Sequence, residues 1–127
     1  MNITREQLLL YAVTDRSWLK GETLYEQVEK ALKGGVTLVQ LREKELSEPE
    51  FEAEGRSLLE LCHRYRVPLI INDNVELAER IGADGVHVGQ SDMELTRARK
   101  ILGTDKIIGV TAKTVEQAQA AERAGAD

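Results

Sequence analysis

Short runs rich in valine, isoleucine and leucine recur along the chain. They occupy residues 8–13, 37–41, 68–71, 85–88 and 107–110. Apolar residues fall on both alternating sets of positions in these runs, so each run predicts a strand that is buried on both faces. Strands of this kind are typical of parallel sheets that helices cover on one or both sides.

Segments with helical spacing separate the apolar runs. The apolar stripe Leu24, Val28, Ala31 and Leu32 predicts the first helix, which Gly34 and Gly35 would end. Ser47 and Glu50 form a capping-box pattern, and Thr114 and Gln117 also predict a helix start. The remaining stripes are Phe51, Leu58, Cys62 and Tyr65; Val75, Leu77, Ala78 and Ile81; Leu95, Ala98 and Leu102; and Val115, Ala118 and Ala121.

This alternation of strands and helices predicts an α/β fold with a parallel sheet and one domain over residues 1–127. The helix-to-strand junction Gly82-Ala83-Asp84 is repeated at Gly125-Ala126-Asp127, where another strand should follow. We therefore expect a (β/α)8 TIM barrel, present only as its first five β/α units and truncated just before strand six. A whole barrel takes about 200 residues or more.

Composition narrows the class of partner. The chain has a net charge of −5, 42% hydrophobic and 31% charged residues, and no strongly basic stripe. We therefore expect small-molecule substrates, no nucleic acid and no membrane as partners. The single cysteine, Cys62, excludes an intrachain disulfide, and no apolar run approaches the ~20 residues of a membrane span. These features favour a cytoplasmic protein, with Cys62 in the core.

A cationic cluster follows the second predicted strand. Gln40, Arg42 and Lys44 alternate along the chain and so share one face. An amide, a guanidinium fork and an ammonium at the carboxyl end of a barrel strand suit a polyphosphate. Alternatively, both cations are solvated loop charges or are paired with Glu43 and Glu45.

Carboxylates and hydroxyls follow the next strands. Asn72 and Asp73 end the third run, and Asp92 comes shortly after the fourth. Since Mg²⁺ prefers one or two carboxylates together with phosphate oxygens, Asp73 and Asp92 are candidate ligands. The alternative is that Asp73, Asn74 or Asp92 caps the following helix. Thr111, after the fifth run, could contact a phosphate oxygen.

Other conspicuous residues have simpler interpretations. His87 lies inside an apolar run with no second histidine nearby in sequence, which favours a hydrogen-bonded structural role over metal ligation. Trp18 could stack on a ligand, but we expect it to pack within its loop. The chain shows no nucleophile–base pair.

Together, these motifs resemble the thiamine-phosphate synthase family, also called thiamine-phosphate pyrophosphorylases. The resemblance covers nearly the whole chain, and its specificity comes from the ordered set of motifs. They are Tyr11 to Arg16, Gly34 to Lys44, Ile70 to Asp73, Gly82 to Asp92 and Ile108 to Ala112.

The resemblance implies a (β/α)8 barrel that joins hydroxymethylpyrimidine diphosphate to a thiazole phosphate and releases pyrophosphate with Mg²⁺. By motif, Gln40, Arg42, Lys44, Asn72 and Thr111 would bind substrate, and Arg42 and Lys44 would also be catalytic by stabilising the leaving group. The metal ligands would be Asp73 and Asp92.

The match also has departures. Thr111 and Lys113 stand where the family usually has serine and often has histidine. The family's thiazole phosphate contacts after strands six to eight lie outside these residues. One alternative is a thiazole tautomerase-like relative, against which Asn72, Asp73 and Asp92 argue.

A second alternative is a non-catalytic half-barrel that at most binds diphosphate. With two open sheet edges and an uncovered interior, the 127 residues alone should self-associate as a homo-oligomer and lack synthase activity.

Overall fold

The computed structural model describes residues 1–90 and 94–127, and they form the predicted alternation of strands and helices. The strands are β1 (Tyr11–Val13), β2 (Leu38–Leu41), β3 (Leu69–Asn72), β4 (Gly85–Val88) and β5 (Ile107–Val110). The helices are α1 (Leu24–Lys33), α2 (Glu48–Arg64), α3 (Val75–Ile81), α4 (Leu95–Leu102) and α5 (Val115–Arg123), with a short 3-10 helix at Arg16–Trp18.

The five strands form one parallel sheet in the order β1-β2-β3-β4-β5. Each strand therefore lies beside its neighbour in sequence. One α-helix connects each pair of consecutive strands, and the connection from β1 to β2 also contains the 3-10 helix. In a parallel sheet of this order, all carboxyl ends of the strands lie along one edge. The α/β class predicted from sequence is confirmed.

The two faces of the sheet are packed differently. Val39, Leu41, Ile71 and Val86 belong to the main apolar core, which the helices complete with residues such as Leu58. This face contains most of the buried apolar residues, and Cys62 lies fully buried among them, as predicted. Burial raises the pKa of the Cys62 thiol to about 12, with a smaller contribution from Asp84, so the thiol is a packing group.

The opposite face carries a second, smaller cluster. Leu38, Ile70 and Ile107 are buried there, with Ile3 packed against them. The register pairs Ile70 with Gly85 and Gly85 with Ile107, so a glycine lies between the two isoleucines. Cross-strand partners share a face, which makes this cluster continuous across β2 to β5.

The first strand is shorter than predicted. Residues 8–10 lie in a turn and are exposed, and only Tyr11–Val13 pairs with β2. Thr4 and Gln7 exchange side-chain to backbone hydrogen bonds of 2.9 and 3.2 Å, which bends the chain before β1. The hydroxyl of Thr37 then accepts a hydrogen bond from the amide of Leu10 at 2.9 Å. Local polar contacts thus override the apolar run here.

The predicted helix starts are confirmed. Ser47 and Glu50 form the reciprocal capping box of α2, and the hydroxyl of Thr114 accepts from the amide of Gln117 at the start of α5. The predicted fifth helix is present as α5, and within the described structure it buries none of its residues.

The repeated junction forms the same backbone pairing twice. One carboxylate oxygen of Asp84 accepts from the amide of Leu69 at 2.8 Å, and one of Asp127 accepts from the amide of Ile108 at 2.9 Å. The amides of Asp84 and Asp127 in turn donate to the carbonyls of Leu69 and Ile108. Each aspartate therefore clamps the strand before it.

Trp18 departs from its predicted packing, since 71% of its surface is exposed at the end of the 3-10 helix. Across residues 1–90 and 94–127, no helix has the length and apolar character needed to span a bilayer.

Candidate functional site

The polar residues singled out from the sequence lie at the carboxyl edge of the sheet. Gln40 and Asn72 are inside β2 and β3, whereas Arg42, Asp73 and Thr111 follow β2, β3 and β5. Residues at this edge of a parallel sheet come from separate loops, which is why distant sequence positions meet there.

Gln40 is held by the first strand. Its side chain is buried, and its amide nitrogen donates to the phenol oxygen of Tyr11 at 2.9 Å. Burial raises the pKa of the Tyr11 phenol, and the hydrogen bond from Gln40 partly offsets this. The amide therefore has a fixed orientation.

Arg42 follows β2 and lies next to the first loop, the segment between β1 and α1 that contains the 3-10 helix. Its amide donates to the buried hydroxyl of Thr14 at 2.9 Å, which ties the two loops together. Segments 15–17 and 42–45 line one shallow depression. Hydrogen bonds from Ser17 hold the pKa of Asp15 below its usual value, and the charge of Arg42 adds to this effect.

Lys44 and Asp73 form a direct contact across two strands. The ammonium nitrogen of Lys44 lies 3.1 Å from a carboxylate oxygen of Asp73, and both side chains are partly exposed. The backbone of Asp73 has a φ of 65°, and its amide donates to the carbonyl of His87 at 2.8 Å. This left-handed conformation is uncommon outside glycine, although aspartate tolerates it better than most residues.

Asn74, not Asp73, caps the following helix. The side-chain oxygen of Asn74 accepts from the amide of Leu77 at 2.9 Å. The capping alternative for Asp73 is therefore excluded, and its carboxylate is available at the edge. In the described part of the chain, Glu43 pairs with Arg16 and not with Arg42 or Lys44.

Asn72 is buried at the end of β3, in register with His87 of β4. Asp92, the second predicted metal ligand, lies outside the described residues. Of the two predicted metal ligands, the structure therefore describes Asp73.

His87 links β4 to the end of β5. A ring nitrogen of His87 lies 2.8 Å from the hydroxyl of Thr111, and the side-chain amide Nε2 of Gln90 donates to the backbone carbonyl of Thr111 at 2.7 Å. A side chain at Gly109 would approach the ring to 2.6 Å. The hydrogen-bonded role predicted for His87 is present, and it orients the Thr111 hydroxyl.

A charge cluster with two largely buried acids, which sequence reasoning did not single out, lies beside the cationic segment of Arg42 and Lys44. Arg16 contacts Glu43 at 2.8 Å and also pairs with Glu54. The signal was available in the sequence: Glu54 lies three residues after Phe51 and four before Leu58, which places an acid on the buried stripe of α2.

The residues present fit a magnesium ion in part. Among residues 1–90 and 94–127, no group of three histidine, cysteine or acidic side chains converges as a metal cage. Mg²⁺ does not need such a cage, because it binds through one or two carboxylates with waters and phosphate oxygens. The partly exposed carboxylate of Asp73 is a suitable ligand for such an ion, and the neighbouring ammonium of Lys44 is suited to a phosphate.

The structure defines an α/β protein with one parallel sheet, and polar and charged side chains lie at the carboxyl ends of its strands. The family model described as thiamine monophosphate synthase matches residues 10–127. The chain belongs to this family.

Individual relatives agree with the family model. The chain is 56% identical to the thiamine-phosphate synthase of Clostridium acetobutylicum over 92% of its own length and 56% of the relative's. It is 50% identical to that of Caldanaerobacter subterraneus, covering 97% of this chain and 58% of the relative. The chain therefore spans less than three-fifths of these relatives.

Solved structures show the same arrangement. A thiamine phosphate pyrophosphorylase from Pyrococcus furiosus matches with a TM-score of 0.89 and 36% identity, over 97% of this chain and 59% of that one. A putative dihydrodipicolinate synthetase from Pseudomonas aeruginosa matches with a TM-score of 0.58 and 17% identity, a likeness of fold alone.

Proposed function

We propose that the chain forms the diphosphate-binding part of a thiamine-phosphate synthase. In this reaction a thiazole phosphate displaces pyrophosphate from hydroxymethylpyrimidine diphosphate. The observation that carries the proposal is the position of Gln40, Arg42, Lys44, Asp73 and Thr111 along the carboxyl edge of one parallel sheet, with Lys44 in contact with Asp73. Family membership supports the choice of substrates.

Each residue has a role that its chemistry supports. The carbon–oxygen bond to the diphosphate breaks first, and the electron pair leaves with pyrophosphate. The remaining pyrimidine-stabilised carbocation is then attacked by the thiazole nitrogen. Arg42 and Lys44 would stabilise the charge that develops on pyrophosphate. Gln40 and Asn72 would orient the pyrimidine substrate, and Thr111 would bind a phosphate oxygen.

Mg²⁺ bound by Asp73 and Asp92 would neutralise charge on the diphosphate. Asp73 itself positions the ammonium of Lys44 at 3.1 Å. In the absence of metal, these two groups neutralise each other, so metal binding at Asp73 would free Lys44 to contact phosphate. Binding of metal and anion should therefore be coupled.

Changing Asp73 to asparagine tests this coupling. With Mg²⁺ present, we expect the affinity for inorganic pyrophosphate to fall by about tenfold or more, since a charge-assisted contact is worth about 1.5–3 kcal/mol. Without Mg²⁺ the affinity should not fall, because the variant removes a negative charge beside Lys44. Titration calorimetry with and without the metal measures both.

Asp105→Asn is the matched control. Asp105 precedes β5, at the opposite edge of the sheet, so its loss should change neither affinity. An Asp73→Asn protein with unchanged Mg²⁺ dependence would remove Asp73 from the metal site.

We further propose that the chain makes up the first five β/α units of a (β/α)8 barrel. Asp127 clamps Ile108 as Asp84 clamps Leu69 at the entry to β4, which supports a further strand beside β5. The second apolar cluster would then be part of the barrel interior. The chain spans 56–58% of the relatives' length, which leaves room for further β/α units.

Self-association is a second proposal for the 127-residue chain on its own. Apolar side chains are exposed along the first edge strand and the turn before it, including Leu8, Leu9, Leu10, Tyr11 and Val13. Burying apolar surface is favourable by about 25 cal/mol per Å², and an unpaired strand edge adds hydrogen-bonding groups.

We therefore expect light scattering of the purified 127-residue chain to give a mass above that of one copy. We also expect it to lack measurable synthase activity with both substrates. Changing Val13 to lysine should shift the mass toward one copy, because a charge on the edge strand opposes pairing. A compact monomer at all concentrations would contradict the proposal.

A further inference from the structure

The cluster of Arg16, Glu43 and Glu54 brings two carboxylates to one guanidinium. The side chains of Glu43 and Glu54 are largely buried, at 3% and 17% exposure. Arg16 pairs with both, one from the end of β2 and one from α2. The Arg16 side chain is 44% exposed. If both acids were ionised, two largely buried carboxylates would share one partly exposed guanidinium, and leaving the second negative charge unbalanced there is costly.

One buried carboxylate oxygen of this cluster lacks a hydrogen-bond donor in the described structure. Among the residues that the structure describes, Oε1 of Glu54 is buried and accepts no hydrogen bond. Burial first, then hydrogen bonding and repulsion with Glu43, raise the pKa of Glu54 to about 7, against the opposing effect of Arg16. A proton between the two acids would give the buried oxygen its missing partner and remove the excess charge.

The cluster joins the two loops that line the depression next to Arg42. Arg16 belongs to the 3-10 helix that Asp15 caps, and Glu43 lies between Arg42 and Lys44. A change in the cluster therefore acts on both walls of that depression. The exposed indole of Trp18 ends the same 3-10 helix and is the chain's only tryptophan, so its fluorescence reports on this turn.

We propose that Glu43 and Glu54 share one proton beneath Arg16, and that this proton keeps the first loop docked against the segment of Arg42 and Lys44. Both acids are positioning residues, since they act through Arg16 and the loop. The effect on anion binding rests on the proposed function, whereas the shared proton does not.

The other charged or titratable groups near the cluster come from each neighbouring element. They are Asp15 of the first loop, Glu22 just before α1, Tyr25 of α1, Arg42, Lys44 and Glu45 after β2, and Glu50 of α2. Hydrogen bonds from Ser47 hold the pKa of Glu50 below its usual value, and those from Ser17 do the same for Asp15. These two carboxylates therefore titrate well below the range assigned to the shared proton.

The first arm of the test follows Trp18 fluorescence from about pH 5 to pH 9. We expect one transition near pH 7 in the parent chain. It should be absent in Glu54→Gln, because the neutral amide can donate to Glu43 at every pH, and also in Glu43→Gln. It should persist in Glu52→Gln, a control on the same helix that pairs with Arg80, and in His63→Gln.

The second arm measures binding of inorganic pyrophosphate in magnesium buffer at each pH. Because pyrophosphate also titrates, the informative quantity is the ratio of the affinities of Glu54→Gln and the parent. At about pH 6 we expect the two affinities to be nearly equal. At about pH 8.5 we expect Glu54→Gln to bind pyrophosphate about fivefold or more tightly than the parent, a difference typical of coupled sites.

The outcomes separate the two parts. A pH 7 transition that is missing in the parent, or that survives both glutamine variants, would overturn the shared proton. A transition that behaves as expected with a flat affinity ratio would overturn the link to the anion site. If the parent does not bind pyrophosphate, the proposed function fails, and the fluorescence arm alone decides the shared proton. If Glu54→Gln does not fold, Glu43→Gln replaces it in both arms.

Discussion

Replacing Arg42 with lysine is expected to weaken pyrophosphate binding by about tenfold, although the charge is kept. Arginine can bind two phosphate oxygens through one planar fork, whereas lysine offers a point charge, and a charge-assisted hydrogen bond is worth about 1.5–3 kcal/mol. The hydrogen bond from the backbone amide of residue 42 to the hydroxyl of Thr14 should remain, because it does not involve the Arg42 side chain. The depression beside the first loop would therefore keep its shape.

Calorimetry with inorganic pyrophosphate measures the affinity, and turnover of both substrates by the complete synthase proposed above should fall in parallel. Arg97→Lys is the control, because this exposed residue lies on α4, away from the cationic segment. Equal affinities for the parent and Arg42→Lys would show that only a diffuse positive field is needed there. In that case the proposed bidentate contact would be wrong.

Replacing Gly85 with alanine is expected to cause the largest loss of stability, by about 3 kcal/mol or more. A β-carbon at this position would lie 2.1 Å from the carbonyl oxygen of Ile107 and 2.7 Å from its β-carbon. The first contact is with backbone, so a side-chain rotation cannot relieve it. Strands β4 and β5 would have to separate, and the pairing of Gly85 with Ile107 would be lost.

Urea unfolding followed by circular dichroism gives the free energy of unfolding for this comparison. Gly34→Ala is the matched control, since Gly34 has ordinary helical angles and its added β-carbon would meet the nearest atom at 3.4 Å. We expect that variant to stay within about 1 kcal/mol of the parent. A Gly85→Ala protein of parental stability would mean that the two strands can separate at little cost.

Local sequence signals determined much of the fold. Five apolar runs and the helical stripes between them predicted β1 to β5 and α1 to α5 in order, because each depends on residues only a few positions apart, whereas the 3-10 helix at Arg16–Trp18 was not predicted. The caps at Ser47 and Thr114 followed from single turns of chain. Because all strands of the predicted sheet are parallel, their order also predicted that Arg42, Asp73 and Thr111 lie at one edge.

Only the tertiary structure decided which of these groups meet. Lys44 and Asp73 are 29 positions apart, and their contact depends on β2 and β3 being neighbours. Glu54 became part of a charge cluster because α2 packs it beside Glu43 and Arg16. The need for glycine at position 85 likewise arises from the close approach of β5. Contacts of this kind depend on how distant segments pack, which local propensity does not encode.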